Sequence, residues 1–279
     1  MIGTTPNIPV PYTKNTYTTP DTMALPLSSM FPNISFYWRT CVAVCKASCL
    51  AKQGMYSDAD WIRSSLEITE AIEKCGARVT IEGFDNFSNI DGPCVFIANH
   101  MSTLETFILP AMISIFKPVT FVVKESLLRY PIFHHIMRSR DPIVVERKDA
   151  RADFSTVMQG GVERLGKGTS IIVFPQSTRR LSIDRQHFNS MGIKLARKAG
   201  VPAVPIALRT DAWSMGGLFG MLKDYGPIRP NLPIHFRFGE SVVVKDNGKA
   251  EHEVVYNFIE NALREWGLSS IEQLPQELP

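Results

Sequence analysis

The chain of 279 residues contains no run of about twenty apolar residues free of charge, which is what a membrane-crossing helix requires. Its N-terminus lacks the basic start and apolar core of a signal peptide. Cysteine is scarce: there are five, an odd number. Three of them, Cys41, Cys45 and Cys49, recur every four residues and share one helix face, where neighbouring Cβ atoms sit too far apart for a relaxed disulfide. Reduced thiols and a cytosolic setting follow, and the three side chains are expected to pack as small apolar groups rather than to bind metal or carry a lipid. No metal site is expected. An excess of one charge is lacking too. Lys and Arg number 30 against 27 for Asp and Glu. No basic and aromatic motif for RNA or DNA occurs, so the slight positive balance favours smaller anions such as phosphorylated cofactors or acidic lipid heads. There are no internal repeats.

The chain does have apolar content, 44% hydrophobic and 10% aromatic, enough for a full core. Residues 1–30, with Pro6, Pro9, Pro11, Pro20 and Pro26 among Thr and Asn, lack periodicity and are predicted to be an unstructured tail. Residues 31–76 are predicted to form two helices. The first, FPNISFYWRTCVAVCKASCLAK, is interrupted by Arg39 and Lys46, seven positions apart on one face. That pattern predicts a helix lying on a membrane, with Phe36, Tyr37, Trp38 and Leu50 buried in it, rather than spanning it. Packing of both helices on the core is the other reading. Asp58 reads as the cap of the second helix, which carries Trp61, Ile62, Leu66, Thr69 and Ile72 on one side and Arg63, Glu67, Glu70 and Lys74 on the other.

Residues 77–279 alternate short β-rich runs with helical stretches. Strands are predicted at 79–82, 94–98, 119–123, 142–145, 170–174, 203–207 and 234–238, and helices near 103–116, 125–137, 150–165, 189–199 and 251–266. Continuous apolar strands alternating with helices predict an α/β fold, a mixed and largely buried sheet flanked by helices.

In such sheets chemistry collects in the loops after strand carboxyl ends. NHMSTLE, Asn99 to Glu105, follows the apolar run PCVFIA. Residues five apart on an unbroken helix lie about 140° apart around its axis. The S-x-x-E run from Ser102 to Glu105 fits a capping box, with Ser102 as N-cap and Glu105 as third helical residue, its carboxylate folded back toward His100 outside the helix. A second polar loop, PQSTRR, Pro175 to Arg180, leaves the strand SIIVF with Thr178 and Arg179 suited to an anion.

Together these runs resemble the phospholipid/glycerol acyltransferase family, of which 1-acylglycerol-3-phosphate acyltransferase is typical. NHMSTLE is similar to its N-H-x-x-x-x-D block, FPQSTR (Phe174 to Arg179) to F-P-E-G-T-R, and VPAVPI (Val201 to Ile206) to V-P-x-x-P. Lys124 with Glu125, and VVER ending at Arg147, match intervening segments, so the blocks stand in order over roughly residues 78–210. The resemblance implies catalysis by His100 and Glu105, with substrate binding by Lys124, Arg147, Gln176, Ser177, Thr178 and Arg179. It implies no bound cofactor, an acyl-CoA or acyl carrier protein thioester as co-substrate, a lysophospholipid acceptor, and peripheral attachment to the cytoplasmic face of a membrane. This sequence departs from the pattern at Glu105 for Asp, Gln176 for Glu and Ser177 for Gly. With the arginine kept and the acid lost, 1-acylglycerol-3-phosphate is the expected acceptor and a lyso-amino-acid lipid the alternative. Two other classes compete. A lipid serine hydrolase would use Ser214 in AWSMG with His235 or His252. A lipid-binding protein would keep the fold without the chemistry.

Overall fold

Apolar runs of four to seven residues, too short for helices, become strands in the computed structural model of the chain, which describes residues 11–12, 15–176, 178–216 and 224–268. The strands are β1 (Thr16–Thr18), β2 (Val79–Glu82), β3 (Val95–Ala98), β4 (Val119–Lys124), β5 (Ile143–Val145), β6 (Ser170–Val173), β7 (Ala203–Arg209) and β8 (Ile234–Phe238). They form one sheet in the order β1-β2-β8-β7-β3-β6-β4-β5. The run from β7 to β5 is parallel, β8 is antiparallel to β7, and β1 is antiparallel to β2.

Strand β3 shows why this is a sandwich. Phe96 and Ala98 enter one core cluster and Val95 and Ile97 the other, as the two-residue period of a strand dictates, and all four are buried. On the Phe96 side lie α1 (Pro26–Met30), α2 (Pro32–Lys52), α3 (Asp58–Lys74), α4 (Asp85–Ser88), α5 (Leu104–Ile113) and α6 (Phe133–Ser139). On the Val95 side lie α7 (Ala150–Gly166), α8 (Met191–Ala199) and α9 (Lys249–Glu265). Gly192 lets α8 approach β3 closely, since a Cβ there would meet Ile97 Cγ1 at 2.8 Å. The mixed α/β sheet expected from the sequence is therefore present.

Several local expectations are corrected. The predicted tail is structured from Asn15 onward: β1 pairs with β2 in the register Thr16↔Glu82, and Tyr17 is buried. Three residues are too few to show a period, which is why this strand was not legible. Residues 1–10 and 13–14 of that segment, and 269–279 at the other end, lie outside the described residues. Ser57, not Asp58, caps α3. Its hydroxyl accepts from the Asp60 amide at 3.2 Å, and the Asp60 carboxylate accepts from the Ser57 amide at 3.0 Å. The helix expected over 125–137 is broken into a 3-10 turn, Glu125–Arg129, and α6. Pro131 disfavours helical geometry at Tyr130, and Ile132 sits at φ 68°.

Helix α2 also faces differently than expected. Phe36 is fully buried against Trp213, with ring centroids 4.8 Å apart, and the Tyr37 hydroxyl donates to the Gly226 carbonyl at 2.7 Å. Both belong to the core side. Of the four residues expected to face a membrane only Trp38 is exposed, at 71%, and Leu27, Met30, Phe31 and Ile34 are exposed as well. Cys41, Cys45 and Cys49 are free and exposed on the outer face, not packed as small apolar groups. No helix among the described residues is long and apolar enough to cross a membrane.

Candidate active site

The parallel strands β7, β3, β6, β4 and β5 end at one edge of the sheet, and the loops leaving them converge there. Past Ala98 the β3–β7 pairing is carried one step further by a side chain: Asn99 Nδ2 donates to the Leu208 carbonyl and its Oδ1 accepts from the Leu208 amide, both at 2.8 Å. The next residue is His100, in the loop before α5. That helix begins at Leu104, so Glu105 is its second residue, one position earlier than expected. Thr103 occupies the N-cap without a capping bond of its own. Ser102 does the capping in modified form: its hydroxyl accepts from the Leu104 amide at 3.0 Å, and its own amide donates to both Glu105 oxygens at 2.9 and 3.1 Å.

The carboxylate thus turns back toward the loop as expected. Glu105 Oε1 meets His100 Nδ1 at 2.9 Å, leaving Nε2 as the nitrogen for substrate. The imidazole lies on Phe174 with ring centroids 4.3 Å apart, and its side chain is 12% exposed. Glu105 is wholly buried. Burial alone would raise its pKa. The hydrogen bond and charge of His100, the Thr210 hydroxyl and the Met101 amide together outweigh that and hold it below the ordinary carboxylate value. Thr210 donates to Oε2 at 2.6 Å, the Met101 amide to Oε1 at 2.6 Å and the Ser102 hydroxyl to Oε2 at 3.0 Å. An anion so placed accepts from Nδ1–H and leaves Nε2 as the nitrogen facing away from the carboxylate.

The loop after β6 closes on this pair. Gln176 Oε1 accepts from the His100 amide at 2.8 Å, its Nε2 donates to the Ser182 carbonyl at 3.0 Å, and the Arg180 amide donates to the His100 carbonyl at 2.9 Å. Gln176 is 1% exposed, and its side chain braces the two loops against each other. Both polar ends of the amide are used, one as acceptor and one as donor, which a carboxylate could not do. Ser177 lies outside the described residues. Thr178 is exposed, its hydroxyl 3.5 Å from Arg180 Nε. Arg179 is mostly buried and pairs with Asp224 at 2.5 Å, while its Nε is buried without a hydrogen-bond partner among the described residues. Asp224 is further held by the Tyr130 hydroxyl at 3.2 Å, and its carbonyl by the Thr103 hydroxyl at 2.8 Å.

Lys124 ends β4 and Arg147 follows β5, two and three strands from β3 along the same edge. Lys124 is exposed. Arg147, at φ 60°, is anchored through its amide to Asp153 at 2.9 Å. Partial burial, and after it the positive charge of Arg179, lower its pKa against the opposing pull of Asp153.

The hydrolase alternative has no support in the geometry. Ser214 Oγ donates to the Pro227 carbonyl at 2.8 Å, His235 stacks on Trp266, and His252 Nε2 bonds the Phe188 carbonyl, so no serine–histidine pair forms. Three residues at the site were not singled out in the sequence: Tyr130, Thr210 and Asp224. For Thr210 a signal existed. The buried series Val204, Ile206 and Leu208, continued by two, places Thr210 on the α5 side of the sheet.

Residues 78–209 match the model of the Acyltransferase family. A 1-acyl-sn-glycerol-3-phosphate acyltransferase of Pseudomonas aeruginosa is 32% identical over 148 residues, which are 53% of this chain and 55% of that protein. The chloroplastic 1-acyl-sn-glycerol-3-phosphate acyltransferase LPAT1 of Arabidopsis thaliana is 30% identical over 161 residues, 57% of this chain and 44% of the relative. The chain thus spans about half the length of the curated relatives it matches. The crystal structure of the 1-acyl-sn-glycerophosphate acyltransferase PlsC of Thermotoga maritima superposes with a TM-score of 0.62 at 18% identity, covering 86% of this chain and 97% of that one, a likeness of fold.

Proposed function

We propose that this chain, whose residues 78–209 match the Acyltransferase family model, moves a fatty acyl group from a thioester to the hydroxyl of a lysophospholipid. The observation that carries the reading is the His100–Glu105 pair, buried at the end of a parallel strand with one imidazole nitrogen left for substrate. His100 Nε2 takes the proton of the acceptor hydroxyl as its oxygen attacks the thioester carbonyl. The tetrahedral intermediate then collapses, the carbon–sulfur bond breaks, and the imidazolium returns the proton to the departing thiolate, leaving an ester and a free thiol. Glu105 stabilises the imidazolium between the two transfers. The donor in this reading is acyl-coenzyme A or acyl carrier protein.

The acceptor in this reading is 1-acylglycerol-3-phosphate, its phosphate taken by Arg179 with Arg147 nearby. One observation favours a second acceptor. Asp224, paired with Arg179, places a carboxylate beside the anion site, which suits a head group carrying both charges, as a lyso-amino-acid lipid does. Attachment is peripheral, through the exposed face of α1 and α2 that carries Leu27, Met30, Phe31, Ile34 and Trp38.

The test is purified protein with acyl-coenzyme A and a panel of lysolipids, reading thiol release and product mass. Transfer to the phosphate acceptor is expected. Preference for a zwitterionic lysolipid would move the acceptor assignment to the second reading, and thiol release with free fatty acid as the product would overturn acyl transfer. Arg179→Ala should raise KM for the phosphate acceptor by about tenfold and spare a neutral one, as loss of a charge-assisted hydrogen bond predicts.

A further inference from the structure

The carboxylate of this site is one methylene longer than the aspartate of the acyltransferase pattern it resembles. In the structure its far oxygen, Oε2, is received by a residue from another strand: Thr210, just past the end of β7, donates its hydroxyl at 2.6 Å. Thr210 is completely buried and lies 105 positions from Glu105 in sequence. Its backbone position is held on both sides. The Asn99 amide clamps Leu208 two residues earlier, and the Thr210 amide donates to Met101 Sδ at 3.4 Å. The loop that carries His100 and the strand that carries Thr210 are therefore one unit, and Glu105 spans them.

We infer that Thr210 is a positioning residue of the dyad, the partner that lets a glutamate serve where the pattern has aspartate. The inference rests on the reading of His100 and Glu105 as the catalytic pair. Oε1 is held by the Met101 amide at 2.6 Å, whereas Oε2 has two hydroxyl donors, Thr210 at 2.6 Å and Ser102 at 3.0 Å. The Ser102 hydroxyl belongs to the same turn as Glu105 and also accepts from the Leu104 amide, and the Ser102 amide donates to both oxygens. Thr210 is the donor that comes from another strand, and its short bond holds Oε2 toward β7 so that Oε1 stays aimed at the imidazole. An aspartate reaching His100 from the same helical position would stop short of Thr210, and the hydroxyl would then have no role in catalysis.

This makes a double-mutant cycle decisive. Thr210→Val keeps the shape and removes the donor. It should lower kcat by about 10- to 100-fold with KM for the acceptor within about threefold, as expected when a catalytic group is misaimed while substrate binding is intact. Thr210→Ser keeps the hydroxyl and should recover most of kcat. In a Glu105→Asp background, Thr210→Val should change kcat by less than about threefold. Equal impairment in the Val and Ser variants, or a full Thr210→Val effect in the Glu105→Asp background, would overturn the assignment. Should Thr210→Val fail to fold, Thr210→Ala carries the same expectations with room to spare. A readout independent of turnover separates this inference from the proposed function: the pH of half-unfolding on acidification should rise in Thr210→Val and not in Thr210→Ser. If no lysolipid is acylated, the functional reading falls while this comparison still decides whether Thr210 holds the carboxylate. An unchanged acid midpoint in Thr210→Val would sink it.

Discussion

Two glutamates are buried among the described residues, and their surroundings treat charge in opposite ways. Glu105, at the carboxyl edge of the sheet, accepts from two backbone amides, two hydroxyls and an imidazole, and its pKa is held below the ordinary value of 4.5. Glu73, at the end of α3, is 2% exposed and accepts from the hydroxyls of Tyr17 and Thr19 at 2.7 and 2.6 Å, both on Oε1. Burial, with a smaller push from Glu70, raises its pKa despite those two bonds. Equal burial therefore does not make equal groups. Backbone amides at a helix start are oriented before the carboxylate arrives and cannot turn away, whereas hydroxyls can rotate to suit either protonation state. The first environment keeps an anion for chemistry. The second joins β1 to α3 and tolerates a neutral acid.

The largest expected difference between the two regions is in turnover. His100→Ala, which strips Glu105 of its partner, should cut kcat by about 10²- to 10⁴-fold with a small change in melting temperature, measured side by side. Near-normal kcat would remove the dyad from the mechanism. Glu105→Gln should cost both turnover and stability, the latter by about 1–3 kcal/mol, because its amide would turn a donor toward donors. Glu73→Gln should leave turnover unchanged, and a loss of activity there would show that the two regions are coupled.

The same pair separates in pH. The stabilisation from Glu105, whose folded pKa is depressed, is complete above about pH 4.5 and is lost as pH falls through the folded value. Glu73, with a raised folded pKa, contributes most below about 4.5 and loses that contribution as pH rises through its folded value. Denaturant melts of Glu73→Gln against the parent should therefore favour the variant increasingly as pH rises from about 4.5 through the folded value, and level off above it. A constant difference across pH would show that Glu73 titrates as it does in the unfolded chain. The smallest expected effect is on selectivity. Gln176→Glu should lower stability by about 1–3 kcal/mol through the lost bond to Ser182, yet leave the ratio of kcat/KM between phosphate and neutral acceptors within about threefold. A larger swing in that ratio would place position 176 in the substrate cleft.

How much of this was legible depended on range. The parallel strands appeared as apolar runs because strands buried on both faces admit little else, and β2 and β8 occur over the predicted residues. His100 and Glu105 were legible because five residues and a capping pattern join them. The bracing bonds of Gln176 were not legible, since a side chain's direction out of a loop is set by what it bonds, here the His100 amide and the Ser182 carbonyl. The outer face of α2 was misassigned for a related reason. Helical periodicity tells which residues share a side, and only packing against Trp213 decided that Phe36 would be inside while Trp38 and the cysteines stayed out.

By itself the sequence determined the α/β alternation, the two polar loops at strand ends and the pairing of His100 with Glu105, all features set by local pattern. Tertiary structure alone decided what holds that carboxylate and what holds Arg179: Thr210 reaches Glu105 across 105 positions, and Asp224 reaches Arg179 across 45. The physical reason is that a hydrogen bond acts over about 3 Å, and no local pattern encodes which distant residue the sheet will bring within that distance.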